Sequence, residues 1–224
     1  MSAAGVVGST GRIEALPNAV GFVLAGGNSS RMGTDKALVR FAGRPLVAHA
    51  VSLLREAGFI ACIAGARSEL AEFAPVVEDS QPGMGPLEGI CAALASTPAS
   101  WAIFIPVDLP LLPASLLVFL LHHAQTTSAA VTLCSINGFV ESFPVVLRRE
   151  TLPLLKSELE SGRGGCYSAF KAAAASMGEL VNVLPVEFLV QSGHVDHADG
   201  LPAVRWFMNV NDPEELWRAE RSLS

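Results

Sequence analysis

Short, unbroken apolar runs alternate along this chain with longer segments whose apolar residues recur at helical spacing. Unbroken runs are typical of strands that are covered on both faces, as in parallel sheets. The predicted strands are Val20–Leu24, Phe59–Ala64, Pro75–Glu78, Trp101–Val107, Ala129–Cys134, Ser142–Leu147 and Leu180–Pro185. The predicted helices are Leu46–Ala57, Leu87–Ala95, Pro113–Ala124, Leu152–Glu160 and Tyr167–Ala175. This alternation predicts a three-layer α/β/α domain with a Rossmann-like, mostly parallel central sheet.

The two ends of the chain differ in character. Residues 1–18 are small and polar and lack the charged start and apolar block of an export signal, so they are expected to form a flexible tail. We expect one domain over residues 19–224, because no linker or change of composition interrupts it. Near the end, Asp212 is predicted to cap a last helix that has Pro213 at its first position.

Composition narrows the class of protein. The chain has 224 residues, half of them hydrophobic, with a net charge of −6 at pH 7. It therefore lacks the overall positive charge that binds nucleic acid, although a local basic pocket for a small phosphorylated molecule is compatible with it. No stretch approaches the roughly 20 apolar residues of a membrane span. We expect a soluble, cytoplasmic protein.

The cysteine and histidine residues give little indication of a metal site. The four cysteines are scattered without the spacing of metal ligands, which indicates reduced thiols: Cys62, Cys91, Cys134 and Cys166. His194 and His197 lie close together with Asp196 and Asp199, within an apparent loop over residues 190–203. Such a loop is either a transition-metal site or, as is more usual, a solvated connection.

Ligands of parallel sheets bind beyond the carboxyl ends of the strands, which selects the loops 25–36, 79–89 and 108–112. In the first, Ala25-Gly26-Gly27 allows a ligand to approach the backbone, whose N–H groups can form an anion-binding nest. Arg31 and Lys36 add cations for phosphate oxygens. The segment matches neither a P-loop nor the dinucleotide fingerprint. The alternative is an ordinary glycine turn with surface charges.

Two oxygen-bearing side chains are candidates for binding a hard cation. Asp108 follows a buried strand between Pro106 and Pro110, where a carboxylate would sit rigidly at the sheet edge. Asn211 offers a neutral oxygen near a helix start. Each has a structural alternative: a turn or capping role for Asp108, and helix capping for Asn211.

Five segments, in this order and at these separations, resemble the molybdenum cofactor guanylyltransferases, a branch of the MobA-like nucleotidyltransferase family. They are LAGGNSSRMGTDKAL, GPLEG, VDLPLL, FPVVL and NVNDPEEL, and the resemblance runs from about Val20 to Leu216. It implies a fold of the nucleotide-diphospho-sugar transferase type. It also implies that GMP is transferred from GTP to the phosphate of molybdenum–molybdopterin, with release of pyrophosphate and a requirement for Mg²⁺.

The resemblance also implies roles for individual residues. The nucleotide-binding loop is carried over to Leu24, Ala25, Gly26 and Gly27. Lys36 matches the phosphate-binding lysine and, with Arg31, is assigned a catalytic role. Asp79 matches a nucleotide-contacting acid, Asp108 the acid that binds nucleotide and Mg²⁺, and Asn211 a second metal ligand of the wider group. Ala64 stands where family members carry a nucleotide-contacting Asn, so the recognition of the base is left open.

Two segments are candidates for the acceptor pocket. Phe143-Pro144 would present its backbone to the pterin, and Arg163, in a glycine-rich loop with Lys171 nearby, would hold the acceptor phosphate. The alternative for the second segment is a helix C-cap followed by solvated charge. Molybdoenzymes or proteins of cofactor biosynthesis are expected partners. The rival functions are a cytidylyl- or sugar-nucleotidyltransferase of the same fold, and a non-catalytic cofactor carrier.

Overall fold

The structure is a computed structural model and describes residues 18–26, 35–65, 67–78, 85–162 and 165–223. Its strands are β1 (Ala19–Leu24), β2 (Arg40–Phe41), β3 (Arg44–Pro45), β4 (Ile60–Ala64), β5 (Val76–Val77), β6 (Trp101–Pro106), β7 (Val131–Ile136), β8 (Phe139–Arg148) and β9 (Asn182–Pro185). In the described part of the chain, seven strands form one sheet in the order β5-β4-β1-β6-β8-β7-β9, and β2 pairs with β3 separately.

Helices cover both faces of that sheet. The α-helices are α1 (Leu46–Glu56), α2 (Pro86–Ser96), α3 (Ala114–Thr127), α4 (Leu152–Ser161), α5 (Cys166–Ser176), α6 (Val186–Gln191), α7 (Ala203–Trp206) and α8 (Pro213–Glu220). Short 3₁₀ helices occur at Lys36–Leu38, Ser68–Glu72, Arg149–Thr151 and Arg221–Leu223. Buried residues of α1 and α3 belong to one core cluster, and those of α2, α4 and α5 belong to a second. The predicted three-layer arrangement is confirmed.

The sheet is mostly parallel, as predicted. β1 runs parallel to both β4 and β6, and β9 runs parallel to β7. β8 is antiparallel to β6 and to β7, so it alone of the seven runs in the opposite direction. β8 reverses the chain because Asn137 and Gly138, both at positive φ, make a tight turn between β7 and β8. Helices cover both faces of the sheet, so its central strands can be apolar throughout.

Several element boundaries differ from the predicted ones. The third strand is reduced to Val76–Val77, while β8 extends from Phe139 to Arg148 through Pro144. The apparent loop 190–203 is shorter than expected, because α6 continues to Gln191 and α7 begins at Ala203. Neither short helix was predicted, since an element of one or two turns carries too few residues to show a period.

The structure also tests the expectations about cysteines and metals. All four cysteines are free, and burial raises the pKa of the Cys91 thiol to about 12 and that of the Cys166 thiol to about 11. Among the described residues, no cluster of three His, Cys, Asp or Glu side chains could hold a metal ion. His197 instead accepts a hydrogen bond from the backbone N–H of Asp199 at 3.1 Å. No helix of the described ranges is long and apolar enough to cross a membrane.

Candidate active site

A cavity of about 620 Å³ opens at the carboxyl ends of β1 and β6. Its wall contains six residues of the predicted nucleotide and metal sites: Leu24, Ala25, Gly26, Lys36, Asp108 and Asn211. The full set of lining residues runs from Leu24 to Gly26, from Asp35 to Ala37, from Pro106 to Leu109 and from Val140 to Phe143, with Pro86, Asn209 and Asn211. The loops after β1 and β6 therefore share one cavity.

These two loops meet because their strands are neighbours in register. Leu24 is paired with Pro106, so β1 and β6 end at the same level of the sheet. Beyond the last pair, the Val107 N–H donates to the Leu24 carbonyl at 3.2 Å. Successive positions past the strand ends are held at the sheet edge by this continued pairing, which places Ala25 and Asp108 on the same side of the molecule.

On the side of β1 that faces β4, the backbone that follows β1 lies close to the backbone that follows β4. The Ala25 N–H donates to the Ala64 carbonyl at 3.1 Å, and Gly65 lies against Gly26. A Cβ on Gly65 would stand 3.2 Å from the Gly26 nitrogen, and the φ of Gly65 is +143°. Both conditions favour glycine. Ala64 itself is buried, so its side chain does not reach the cavity as a longer polar residue could.

Lys36 lies between two oxygen atoms from distant parts of the chain. Its Nζ donates to Asp108 Oδ2 at 2.7 Å and to Asn211 Oδ1 at 2.5 Å. The side chains of Lys36 and Asp108 are each about one-fifth exposed, so the ion pair borders the cavity rather than bulk solvent. The arrangement brings one cation and two acceptors to one point of the cavity wall.

The position of Lys36 is set by residues that the sequence did not single out. Asp35 caps the 3₁₀ helix that begins at Lys36, since its Oδ1 accepts the Ala37 N–H at 3.0 Å. The second carboxylate oxygen of Asp35 forms a salt bridge with Arg67, which follows β4 and also binds Glu69 at 2.7 Å. Arg67 thus ties the Lys36 turn to the neighbouring strand. Nothing in the sequence around Arg67 signals this role.

Asn211 is presented by a short extended segment rather than by the helix that follows. Asn209 and Asn211 both line the cavity, while Val210 between them is fully buried and donates its N–H to the Asp108 carbonyl at 3.0 Å. Asp212 caps α8 by accepting the N–H groups of Glu214 and Glu215. The capping alternative for Asn211 is therefore wrong, and its amide oxygen is directed to Lys36.

The same oxygens meet the requirements of a hard cation. Mg²⁺ prefers oxygen ligands and is usually held by one or two carboxylates together with substrate phosphates. Asp108 supplies a carboxylate and Asn211 an amide oxygen, and the ammonium of Lys36 shows that both converge on a position that holds positive charge. The donor set fits Mg²⁺, provided that Lys36 moves aside.

The opposite wall of the cavity is formed by β8 where its pairing is irregular. Thr132 of β7 is paired with Val146 of β8, but Cys134 is paired with Glu141, so four residues of β8 face a single residue of β7. Such a bulge turns side chains away from the regular ladder. Glu141 and Phe143 line the cavity, whereas Pro144 is buried and does not.

The remaining predicted residues are placed as follows. Phe143 contributes to the cavity wall and Pro144 does not, while the contact of this segment with the acceptor stays a prediction. Lys171 is not among the lining residues, and its Nζ lies 5.8 Å from the centre of the Tyr167 ring. Four predicted site residues lie outside the described residues: Gly27, Arg31, Asp79 and Arg163. Glu141 was not predicted, because nothing in the strand pattern distinguishes it from an exposed acid.

A comparison with models of protein families finds a match over most of the chain. The model of the MobA-like NTP transferase domain matches residues 21–177, which include most of β1, all of β6 and Asp108. The chain belongs to the MobA-like NTP transferase family. The match ends before Asn209 and Asn211, so the family model does not cover the asparagine segment of this MobA-like chain.

Curated relatives of this MobA-like protein carry a common name. This chain is 39% identical over 150 residues to the molybdenum cofactor guanylyltransferase of Xanthomonas euvesicatoria pv. vesicatoria, and the alignment covers 64% of this chain and 74% of the relative. The molybdenum cofactor guanylyltransferase of Vibrio cholerae serotype O1 is 32% identical over 200 residues, covering 87% of each chain. The predicted family resemblance is confirmed.

Solved structures support the fold. The molybdopterin-guanine dinucleotide biosynthesis protein A of Archaeoglobus fulgidus is similar with a TM-score of 0.70 and 22% identity, covering 90% of this chain and 96% of that chain. A CMP:2-keto-3-deoxy-manno-octonic acid synthetase complexed with CTP is similar with a TM-score of 0.64 and 14% identity, covering 91% of this chain and 97% of that chain. The MobA-like chain thus has the predicted nucleotide-diphospho-sugar transferase type of fold.

Proposed function

We propose that this nucleotidyltransferase moves GMP from GTP to the phosphate of molybdenum–molybdopterin in the cytoplasm and releases pyrophosphate. The relatives named molybdenum cofactor guanylyltransferase support this choice of donor and acceptor. The observation that carries the proposal is the meeting of Lys36, Asp108 and Asn211 in a cavity at the glycine-containing end of β1. A cation and hard-metal ligands at a backbone nest are what a triphosphate requires.

The chain's residues would act mainly by positioning and by neutralising charge. Nucleotidyl transfer develops negative charge on phosphate oxygens, and fixed cations and N–H groups stabilise it without covalent chemistry by the protein. The loop that follows Leu24 would hold the triphosphate through its backbone, and Lys36 would bind its oxygens. The acceptor phosphate is already an anionic nucleophile, so no general base is needed.

Asp108 and Asn211 are proposed to hold Mg²⁺ once Lys36 has moved to the phosphates. When bound, Mg²⁺ would neutralise charge on the triphosphate and on the leaving pyrophosphate. Asp108 is well suited to this task because its backbone is fixed twice, by the end of β6 and by the Val210 N–H. Of the residues assigned to the site from the sequence, Gly27, Arg31 and Asp79 are proposed to complete the nucleotide contacts.

Transfer of another nucleotide is the competing function within the same fold. It gains support from Ala64, which offers no polar side chain to a base, and from the similarity to a synthetase that was solved with CTP. The base specificity therefore decides between the two. Release of pyrophosphate should be measured with GTP, CTP and UTP separately, with Mg²⁺ and molybdenum–molybdopterin present. We expect turnover with GTP alone; turnover confined to CTP or UTP would overturn the proposal.

The same assay with Asp108→Asn separates an enzyme from a carrier. Loss of the carboxylate should lower the rate by at least about 100-fold, the size of effect seen when one electrostatic group of an active site is removed. Asp199→Asn, at an exposed position outside the cavity, is the matched control and should keep the wild-type rate. A wild-type protein that binds molybdenum–molybdopterin without releasing pyrophosphate would be a carrier instead.

A further inference from the structure

Glu141 is the one charged residue on the β8 side of the cavity wall within the described residues. Ser142 and Phe143, which follow it in the bulged part of β8, line the cavity as well, and all three lie beyond the Phe104–Val145 pair, the last between β6 and β8. No described residue forms a hydrogen bond or an ion pair with the Glu141 side chain. The cavity wall therefore contains a carboxylate with no hydrogen-bond or salt-bridge partner among the described residues.

The surroundings of Glu141 disfavour an uncompensated charge. Partial burial raises the pKa of its carboxyl group, and no neighbouring group opposes that effect. A half-buried acid without a partner costs stability, so it is expected where a ligand supplies the missing hydrogen bonds. The proposed substrates are polyanions, and a carboxylate would repel their phosphates. Glu141 is therefore suited to an uncharged part of a substrate that carries N–H groups.

Metal binding does not account for Glu141. Asp35 and Asp108 are the other acids on the cavity wall, but Glu141 does not form with them, or with any other described residues, a cluster able to hold a metal ion. The oxygens that converge on a cation position are those of Asp108 and Asn211, on the side of β1 and β6. Glu141 belongs to β8, the strand beyond β6.

A carboxylate recognises one kind of heterocycle edge particularly well. Its two oxygens are both acceptors, so they match two parallel N–H donors. A 2-amino-4-oxopyrimidine ring presents such a pair: a ring N–H beside an exocyclic amino group. Val140 and Phe143, which flank Glu141 on the cavity wall, supply apolar surface for a flat ring. The site thus combines a ring surface with an acceptor for the ring's edge.

We propose that Glu141 binds the 2-amino-4-oxopyrimidine edge of the acceptor's pterin and makes this wall the specificity pocket for the acceptor. The inference rests on the proposed function. It assigns the edge to the pterin rather than to guanine because of the order of the strands. Lys36 follows β1 and Asp108 follows β6, so the phosphates belong there, and β8 lies on the side of β6 away from the β1 loop. The nucleotide and the acceptor then occupy opposite ends of one cavity.

The test compares two fluorescent ligands that differ only at this edge. Pterin carries the 2-amino group, and lumazine carries an oxygen in its place, which would face the Glu141 carboxylate and be repelled. We expect the wild-type full chain to bind pterin at least about tenfold more tightly than lumazine, as befits a hydrogen bond to a charged group. In Glu141→Gln the preference should disappear or reverse, because the amide can donate to the oxygen of lumazine.

Three further measurements keep the outcome clear. Glu160→Gln, at an exposed position of α4, should keep the wild-type preference. Affinity for GTP should be the same in Glu141→Gln and wild type, which shows that the variant is folded. Equal ligand preference in wild type and Glu141→Gln would overturn the inference, as would a loss of affinity for GTP but not for ITP, which lacks the amino group. Failure of the wild type to turn over GTP with the acceptor would instead refute the proposed function.

Discussion

The ammonium of Lys36 lies 2.7 Å from the carboxylate of Asp108, although 72 residues separate them in the sequence. The same ammonium donates to Asn211 Oδ1, from near the other end of the chain, at 2.5 Å. A lysine that is expected to bind phosphate thus lies where a metal ion would bind. The two roles are compatible if Lys36 and Mg²⁺ exchange places when the triphosphate enters, because each of them then has an anionic partner.

Lys36→Met tests this exchange in the absence of nucleotide. Removing the ammonium frees the oxygens of Asp108 and Asn211 and abolishes its repulsion of a cation, which is worth about 1 to 4 kcal/mol at 4 Å, depending on the local dielectric. Mn²⁺ should therefore bind the nucleotide-free variant at least about fivefold more tightly than wild type, as measured by electron paramagnetic resonance. Affinity for GTP and the rate of transfer should both fall.

Lys156→Met, which removes an exposed lysine of α4, controls for the change in net charge. If both variants bind Mn²⁺ as wild type does, Lys36 does not compete with the metal. If Lys36→Met changes neither GTP affinity nor rate, the Lys36 turn is purely structural.

Asn211 and Asp212 are adjacent residues with separable tasks. Asn211→Ala removes an oxygen from the cavity, so a higher Mg²⁺ concentration should be needed for half-maximal turnover, with little change in the free energy of unfolding. Asp212→Ala removes the N-cap of α8 and should lower the free energy of unfolding by about 1 kcal/mol. Its Mg²⁺ requirement should stay close to that of wild type. Turnover against Mg²⁺ concentration and urea unfolding, measured on both variants, check this division; a reversed pattern would contradict it.

Much of this site could be predicted because several of its charged and polar side chains lie in the loops that follow strands. Lys36 and Asp108 each stand in a motif next to an apolar strand, and the rule for parallel sheets brings such loops together. The N-cap role of Asp212 was also readable, since Asp before Pro and two acids is a local signal.

The rest depends on long-range geometry. Arg67 acts through a salt bridge that becomes possible only once β4 lies beside β1. Glu141 reaches the cavity where β8 changes register between its pairs with Thr132 and Cys134, and alternation along a single strand does not reveal a shift in its pairing. The position of Pro144 depends on the same shift: its side chain is buried and is not among the residues that line the cavity.

His49 should make the stability of the fold depend on pH. Burial lowers its pKa, the Arg44 charge lowers it further, and the hydrogen bond with the Phe41 carbonyl only partly opposes them. The unfolded chain then binds more protons than the folded one just below the usual His pKa of about 6.5. The free energy of unfolding should therefore fall as the pH drops from 7 toward 5. His49→Gln keeps a donor for Phe41 but does not titrate, so urea unfolding should show a smaller fall; equal falls would contradict this assignment.

Gly65 should matter for nucleotide binding although it carries no functional group. Gly65→Ala would place a Cβ 3.2 Å from the Gly26 nitrogen at a φ of +143°, so the backbone that is proposed to hold the triphosphate must shift. Gly178→Ala is the matched control, because Gly178 also has a positive φ, +75°, but has no atom within 4 Å of the added Cβ. Both variants should lose about 1 to 2 kcal/mol of stability from the unfavourable φ. In addition, Gly65→Ala alone should weaken GTP binding, measured by calorimetry at a temperature where both variants are folded. Equal GTP affinities in the two variants would mean that the contact between Gly65 and Gly26 does not shape the nucleotide loop.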